Sequence, residues 1–215
     1  MVTPWLIWQL IDSAFPSGSF THSGGLEAGW QQGVVADGES LEAFLKLSLR
    51  QLERGTMTFV RQSWDDPQRF DEIDRDCNLF LNNHVANRAS RAQGKALLSS
   101  AARTFAVESI HEMMRRVREK RLPAHLPVVF GTMTKALEID RETTLSMFSF
   151  QALRAQISVA VRLGIVGPFE GQQIQSQFST DHRPLTTDHP SVQISPVLDL
   201  LQAGQDRLYS RLFQS

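Results

Sequence analysis

The chain has 215 residues, 41% of them hydrophobic and 21% charged, which excludes a wholly disordered polymer and suffices for one domain with its own core. Its 22 Lys and Arg balance 23 Asp and Glu, so the net charge of −1 gives no global reason to expect a nucleic-acid binder. The single cysteine, Cys77, cannot form an internal disulfide, and a reducing, cytoplasmic setting is expected.

The N-terminal stretch from Met1 to Phe15 is apolar but carries no basic residue; the first Lys or Arg of the chain is Lys46, and Asp12 interrupts the stretch, so it does not read as a signal peptide. Apolar runs such as Leu126 to Phe130 fall far short of the roughly 18–20 residues that a spanning helix needs, and no membrane segment is expected. Residues 12–27, Asp-Ser-Ala-Phe-Pro-Ser-Gly-Ser-Phe-Thr-His-Ser-Gly-Gly-Leu-Glu, read as a tight turn leading into a helix that starts near Gly24, with Glu27 in its first turn.

Ser40 is placed to cap a helix carrying Leu41, Phe44, Leu45, Ser48, Leu52, Thr56, Phe59 and Val60 on one face, ended by Asp65-Asp66-Pro67. A second helix runs from Phe70 to about Asn83, and a third from Ala86 to about Arg121 with a break near Thr104. Leu122-Pro123 stops it. His125 to Ile139 makes another helix, with Pro127 in its first turn. Thr143 to Leu163 is apolar on most faces and is expected at the centre of the bundle. Phe169 to Phe178 forms one more helix, residues 179–195 a polar loop, and Pro196 to Leu212 a closing helix. No strand alternation persists, so the class is all-α: a single-domain multi-helix bundle spanning 1–215.

Charge is unevenly spread. Residues 1–45 hold five acids and no base, while residues 84–121 hold nine bases and three acids. This reads either as a dipolar surface that orients partners or as solvated helix faces.

Enzyme signatures come close and fail. Gly94-Lys95 lacks the first glycine and the Ser or Thr of a phosphate loop. His111-Glu112 has Arg115 where a zinc helix needs its second His. His182 and His189 lie seven apart in a polar stretch without further ligands. Ser13 or Ser23 with His22 leaves an all-α hydrolase as an alternative. A third reading, a nucleic-acid module on residues 84–121, lacks interleaved aromatics. At the C-terminus, Tyr209, Arg211, Leu212 and Phe213 are unusual for a chain end, and their types are enriched in interfaces.

These residues occur in the order of a known family. The chain resembles the UreF urease accessory proteins through Gln9–Pro16 and Phe20–Glu27, then Asn87–Gly94, His125–Gly131, Arg162-Leu163-Gly164 with Gly171-Gln172, Ser195–Asp199, and Leu208–Ser215. Ser19 stands where the family has a second glycine, and Gln205-Asp206 where it usually has His-Glu.

The resemblance implies an all-α, non-enzymatic scaffold without a cofactor. Such a protein bridges a UreD (or UreH) accessory protein and the GTPase UreG, tends to dimerise, and supports nickel insertion into apo-urease, with no membrane or nucleic acid involved. It further implies that Asp12, Ser13, His22, Ser23, Glu27 and Gln172 lie on or support partner-facing surface. Tyr209, Arg211, Leu212, Phe213 and Ser215 would belong to a partner-binding tail over 206–215. Deleting that tail is expected to spare the helical core. For Arg88, Ser90 and Gly94, helix packing is the expected role, since small residues at 90 and 94 permit close approach.

Overall fold

The computed structural model describes residues 3–18, 21–181 and 190–214. Of the proposed loop at 179–195, residues 182–189 lie outside this set, residues 179–181 are helical at the end of the helix that starts at Pro168, and residues 190–195 are irregular as expected; His182, His189, Ser19, Phe20 and Ser215 also lie outside it. The described chain is helical throughout, with no strand among the described residues, and it is the expected all-α bundle. No helix in it is long and apolar enough to cross a membrane.

Helix α1 (Pro4–Ile11) was not legible as a helix in the sequence; Pro4 at its first turn is the signal that marks it. A short α2 (Leu26–Gln31) follows the turn at Gly24-Gly25. Both glycines have positive φ, 62° and 90°, a region that costs a side-chain-bearing residue energy. Next come α3 (Gly38–Arg54) and α4 (Met57–Asp65), where the sequence predicted one helix. The break lies at Gly55, which packs against the Phe80 ring. The cap also differs: Asp37 caps α3 by accepting from Ser40 N, and Ser40 returns the bond from the third position to the Asp37 N–H, a capping box.

Helices α5 (Phe70–Phe80), α6 (His84–Thr104) and α7 (Glu108–Glu119) follow, with the predicted break after Thr104. Then come α8 (Leu126–Ala136), α9 (Arg141–Arg162), α10 (Pro168–Asp181) and α11 (Pro196–Gly204). The closing helix therefore ends at Gly204, not Leu212, and the chain beyond Arg207 is irregular.

Two clusters of buried side chains form the core. One gathers α4 to α8 and the start of α9 around Phe70, Phe130, Met133 and Phe148. The other gathers α2, α3, the C-terminal half of α9, α10 and α11 around Leu26, Leu45, Ile157 and Leu201. The helix enclosed on every side is α8, buried without interruption from Pro127 to Thr134. The apolar α9 instead joins the two clusters, giving Leu145, Met147 and Phe148 to the first and Leu153, Ile157, Val159 and Ala160 to the second.

The approach of α6 to α8 rests on Gly94. A methyl there would lie 2.0 Å from the Ala124 carbonyl oxygen and 2.7 Å from Leu126 N, so only glycine fits. Ser90, one turn earlier, is a hydrogen-bonding hub as well as a small residue: its hydroxyl accepts from Leu126 N (3.2 Å) and meets His125 Nδ1 (3.1 Å). His125 is wholly buried, and its Nε2 lies 3.2 Å from Asn78 Oδ1. Asn78 Oδ1 also accepts from Asn87, so Nε2 carries the proton and Nδ1 accepts from Ser90. Asp74 closes the network, accepting from the backbone N–H of Ala124 (2.8 Å) and His125 (2.7 Å).

Candidate functional site

The C-terminal residues fold back along α2, with a buried carboxylate at the centre of the contacts that hold them. Glu27 is 1% exposed, and it accepts from the backbone N–H of Leu212 (2.6 Å) and Phe213 (3.3 Å) and from the Gln205 side-chain amide. Gln205 in turn accepts from the Ser23 hydroxyl at 3.4 Å. Gln214 N donates to the Thr21 carbonyl (2.7 Å), and the Gln31 amide donates to the Ser210 carbonyl (2.8 Å). Phe213 is buried in the second core cluster, with the Arg162 guanidinium 4.4 Å from its ring centroid.

A charge clamp lies beside this seat. Asp206 takes Arg88 on both oxygens (2.8 and 3.2 Å), and Arg211 and His84 each at 3.2 Å. Its hydrogen bond to Arg88 holds the Asp206 carboxyl below the usual carboxylate range. Gln205-Asp206, the departure from the family pattern, thus supplies both a bridge to Glu27 and the acid of the clamp.

Sequence-predicted residues fall into three places. Ser23, Glu27, Arg211, Leu212 and Phe213 meet at the tail seat. There Ser23, Glu27 and Phe213 are buried supports, while Tyr209, Arg211 and Leu212 are exposed. Asp12, Ser13 and Gln172 are exposed on a neighbouring face. Asp12 ends α1 and accepts from Ala14 N at 2.7 Å. Ser13 and Gln172, far apart in sequence, line one groove of about 400 Å³ with Arg154 and Arg162. Arg162 also covers Phe213, so groove and tail seat share this residue. His22 lies apart from that groove, in a cleft of about 250 Å³ with Ser90, Gln93 and Phe148. Burial, then the positive Arg88, lowers its pKa.

This distribution separates Ser13 from His22 but leaves Ser23 lining the same cleft as the imidazole. Ser13 lines the groove, its hydroxyl toward Asp12 (3.4 Å), and His22 lines the cleft. Ser23 is buried beside His22, and its hydroxyl is directed to the Gln205 side-chain oxygen, to which it donates at 3.4 Å. No group of three His, Cys, Asp or Glu that could hold a metal occurs among the described residues.

Sequence reasoning missed Arg88, Arg162 and Gln205 as parts of this site, and placed Asp206 in the tail without its role as the acid of the clamp. Arg88 was expected to serve helix packing, yet it anchors Asp206 across 118 positions of chain. The tail is also more than a dispensable turn or two: deleting residues 206–215 removes Phe213 from the core and strips Glu27 of its two backbone donors.

Comparison with known proteins places this architecture. A UreF family model matches residues 35–179. The chain is similar to Urease accessory protein F of Arabidopsis thaliana, 33% identical over 221 residues, covering 98% of this chain and 92% of the relative. It is similar to Urease accessory protein F of Oryza sativa subsp. indica, 32% identical over 219 residues, covering 97% and 84%. Urease accessory protein UreF of Bacillus sp. (strain TB-90) is 27% identical over 227 residues, covering 97% of each chain. With the family's match spanning most of the chain and the all-α fold it forms, this protein belongs to the UreF family of urease accessory proteins.

Proposed function

We propose that the chain is a non-enzymatic scaffold in urease maturation, acting in the cytoplasm. It bridges a UreD/UreH-type protein and a UreG-type GTPase, works as a homodimer, regulates the GTPase and so supports GTP-dependent nickel insertion into apo-urease. Nickel is the cargo of this assembly.

The observation that carries the reading is the tail. A chain end that would otherwise fray is held by buried Glu27 and the Asp206 clamp, while Tyr209 is fully exposed and Leu212 is 63% exposed. Large side chains presented on a pre-ordered segment bind with less entropic loss than the same residues on a free tail. The groove of Ser13, Gln172, Arg154 and Arg162 extends the same face and supplies a polar rim.

The test is co-purification of the tagged chain with the UreD-type and UreG-type proteins of its own source, with the mass read by size exclusion and light scattering. A stoichiometric complex of all three is expected. A chain that elutes alone, with both proteins folded and present, refutes the scaffold reading.

A further inference from the structure

The nine bases of residues 84–121 are not spread evenly over solvated faces. Arg88 is tied to Asp206, Arg115 to Glu108, and Arg116 and Lys120 to Asp71. Of the five that remain, Arg91, Lys95, Arg118 and Arg121 line a single groove of about 490 Å³ between α6 and α7. All four are exposed, and no side chain among them has an ion-pair or hydrogen-bond partner among the described residues. Arg91 and Lys95, four apart on α6, form one wall; Arg118 and Arg121 form the other. Arg121 sits at a φ of 50°, a conformation rare outside glycine, at the turn leaving α7.

Between these cations the lining is mostly apolar, Leu98, Met114, Val117 and Leu122, with Ser99 beside them. No carboxylate and no aromatic ring lines the groove. A single-stranded nucleic acid finds cations here but no ring on which a base can stack. A helix with a leucine-like stripe flanked by carboxylates satisfies both features, its apolar side chains on the apolar lining and its acids against the two walls. Met114 gives that lining an adaptable surface.

We propose that the α6–α7 groove is a second docking surface, for an acidic amphipathic helix of another protein. The inference rests on the scaffold reading but uses neither the tail nor the groove beside it. A second copy of this chain is the less suitable occupant. Its exposed acids on α7, Glu112 and Glu119, stand next to the arginines of the groove rather than along an apolar stripe of their own, and Asp37 and Glu39 lie far off in sequence at the start of α3.

The experiment uses the full chain and a fluorescent synthetic helix with a Leu stripe flanked by Glu. Controls are a scrambled peptide of equal composition, a single-stranded oligonucleotide of equal charge and a vesicle rich in phosphatidylserine. The wild type is expected to bind the amphipathic helix at least about tenfold more tightly than any control, and R118E/R121E to lose at least about tenfold of that affinity. R91E/K95E, on the opposite wall, checks the result independently; circular dichroism confirms the fold of each variant. Equal binding of the scrambled peptide, preference for the oligonucleotide or vesicle, or reversal variants that bind unchanged each overturn the proposal. So does a concentration-dependent mass increase of the wild type that the reversals abolish, because the groove is then a self-association surface. None of these readouts depends on the accessory partners, so failure here and failure of the scaffold reading are distinguishable.

Discussion

At the scale of single residues, the family motifs mark positions where the backbone or a buried polar group leaves no choice. Gly94 is one. Alanine there overlaps the Ala124 carbonyl oxygen, and G94A is expected to lower stability by about 3 kcal/mol, read as a shift in the urea midpoint. A midpoint equal to wild type contradicts the close approach of α6 to α8. His125 is another. Burial, with Arg91 and Lys95 nearby, lowers its pKa to about 4, so the folded protein holds it neutral while the unfolded chain protonates at its ordinary value. Its contribution is therefore complete above about pH 6.5 and is lost as pH falls towards 4, on the order of 3 kcal/mol across that window. Burial raises the pKa of Asp74 in the same network, an effect of opposite sign, so the comparison must be with a variant. H125Q is expected to show a flatter stability profile between pH 4 and 6.5 than the wild type. Parallel profiles contradict the buried neutral imidazole. The spacing of Ser90 and Gly94 made helix packing legible; the His125–Asp74–Asn78 network was not, because His125 lies 51 positions from Asp74 and 47 from Asn78.

At the scale of elements, most helices were legible because their apolar spacing is strong. The exceptions share a cause: long-range contacts decide them. Phe80 packs at Gly55, where one helix was expected and two form. The tail was expected to continue α11, but its N–H groups find the Glu27 carboxylate instead of a preceding turn. That exchange makes the tail's two anchors unequal. F213A removes a ring that is 3% exposed and is expected to cost about 3 kcal/mol and to free residues 208–214 for hydrogen exchange and proteolysis. D206N breaks ion pairs that are largely in solvent, and is expected to cost no more than about 1 kcal/mol, with the difference shrinking at high salt. A D206N protein whose tail is as labile as that of F213A contradicts this ranking.

At the scale of the whole molecule, α9 contributes to both core clusters, so neither closes without it. The protein is expected to unfold in one transition, with far-ultraviolet circular dichroism and tryptophan fluorescence coincident in urea. Two separated transitions contradict this coupling. The sequence foretold the charge asymmetry but not its use, since only the fold shows which bases are neutralised and which share the α6–α7 groove.

We propose, as the central point of the scaffold reading, that the tail presents Tyr209 and Leu212 to a UreD/UreH-type protein from an ordered seat. Both side chains are exposed, so Y209A/L212A leaves the fold intact where a deletion does not. Calorimetric titration of the UreD-type protein with wild type and Y209A/L212A is the most direct measurement. The double variant is expected to bind at least about thirtyfold more weakly, with an unchanged urea midpoint. Unchanged affinity, with the same stability, contradicts the claim and removes the tail from the partner interface.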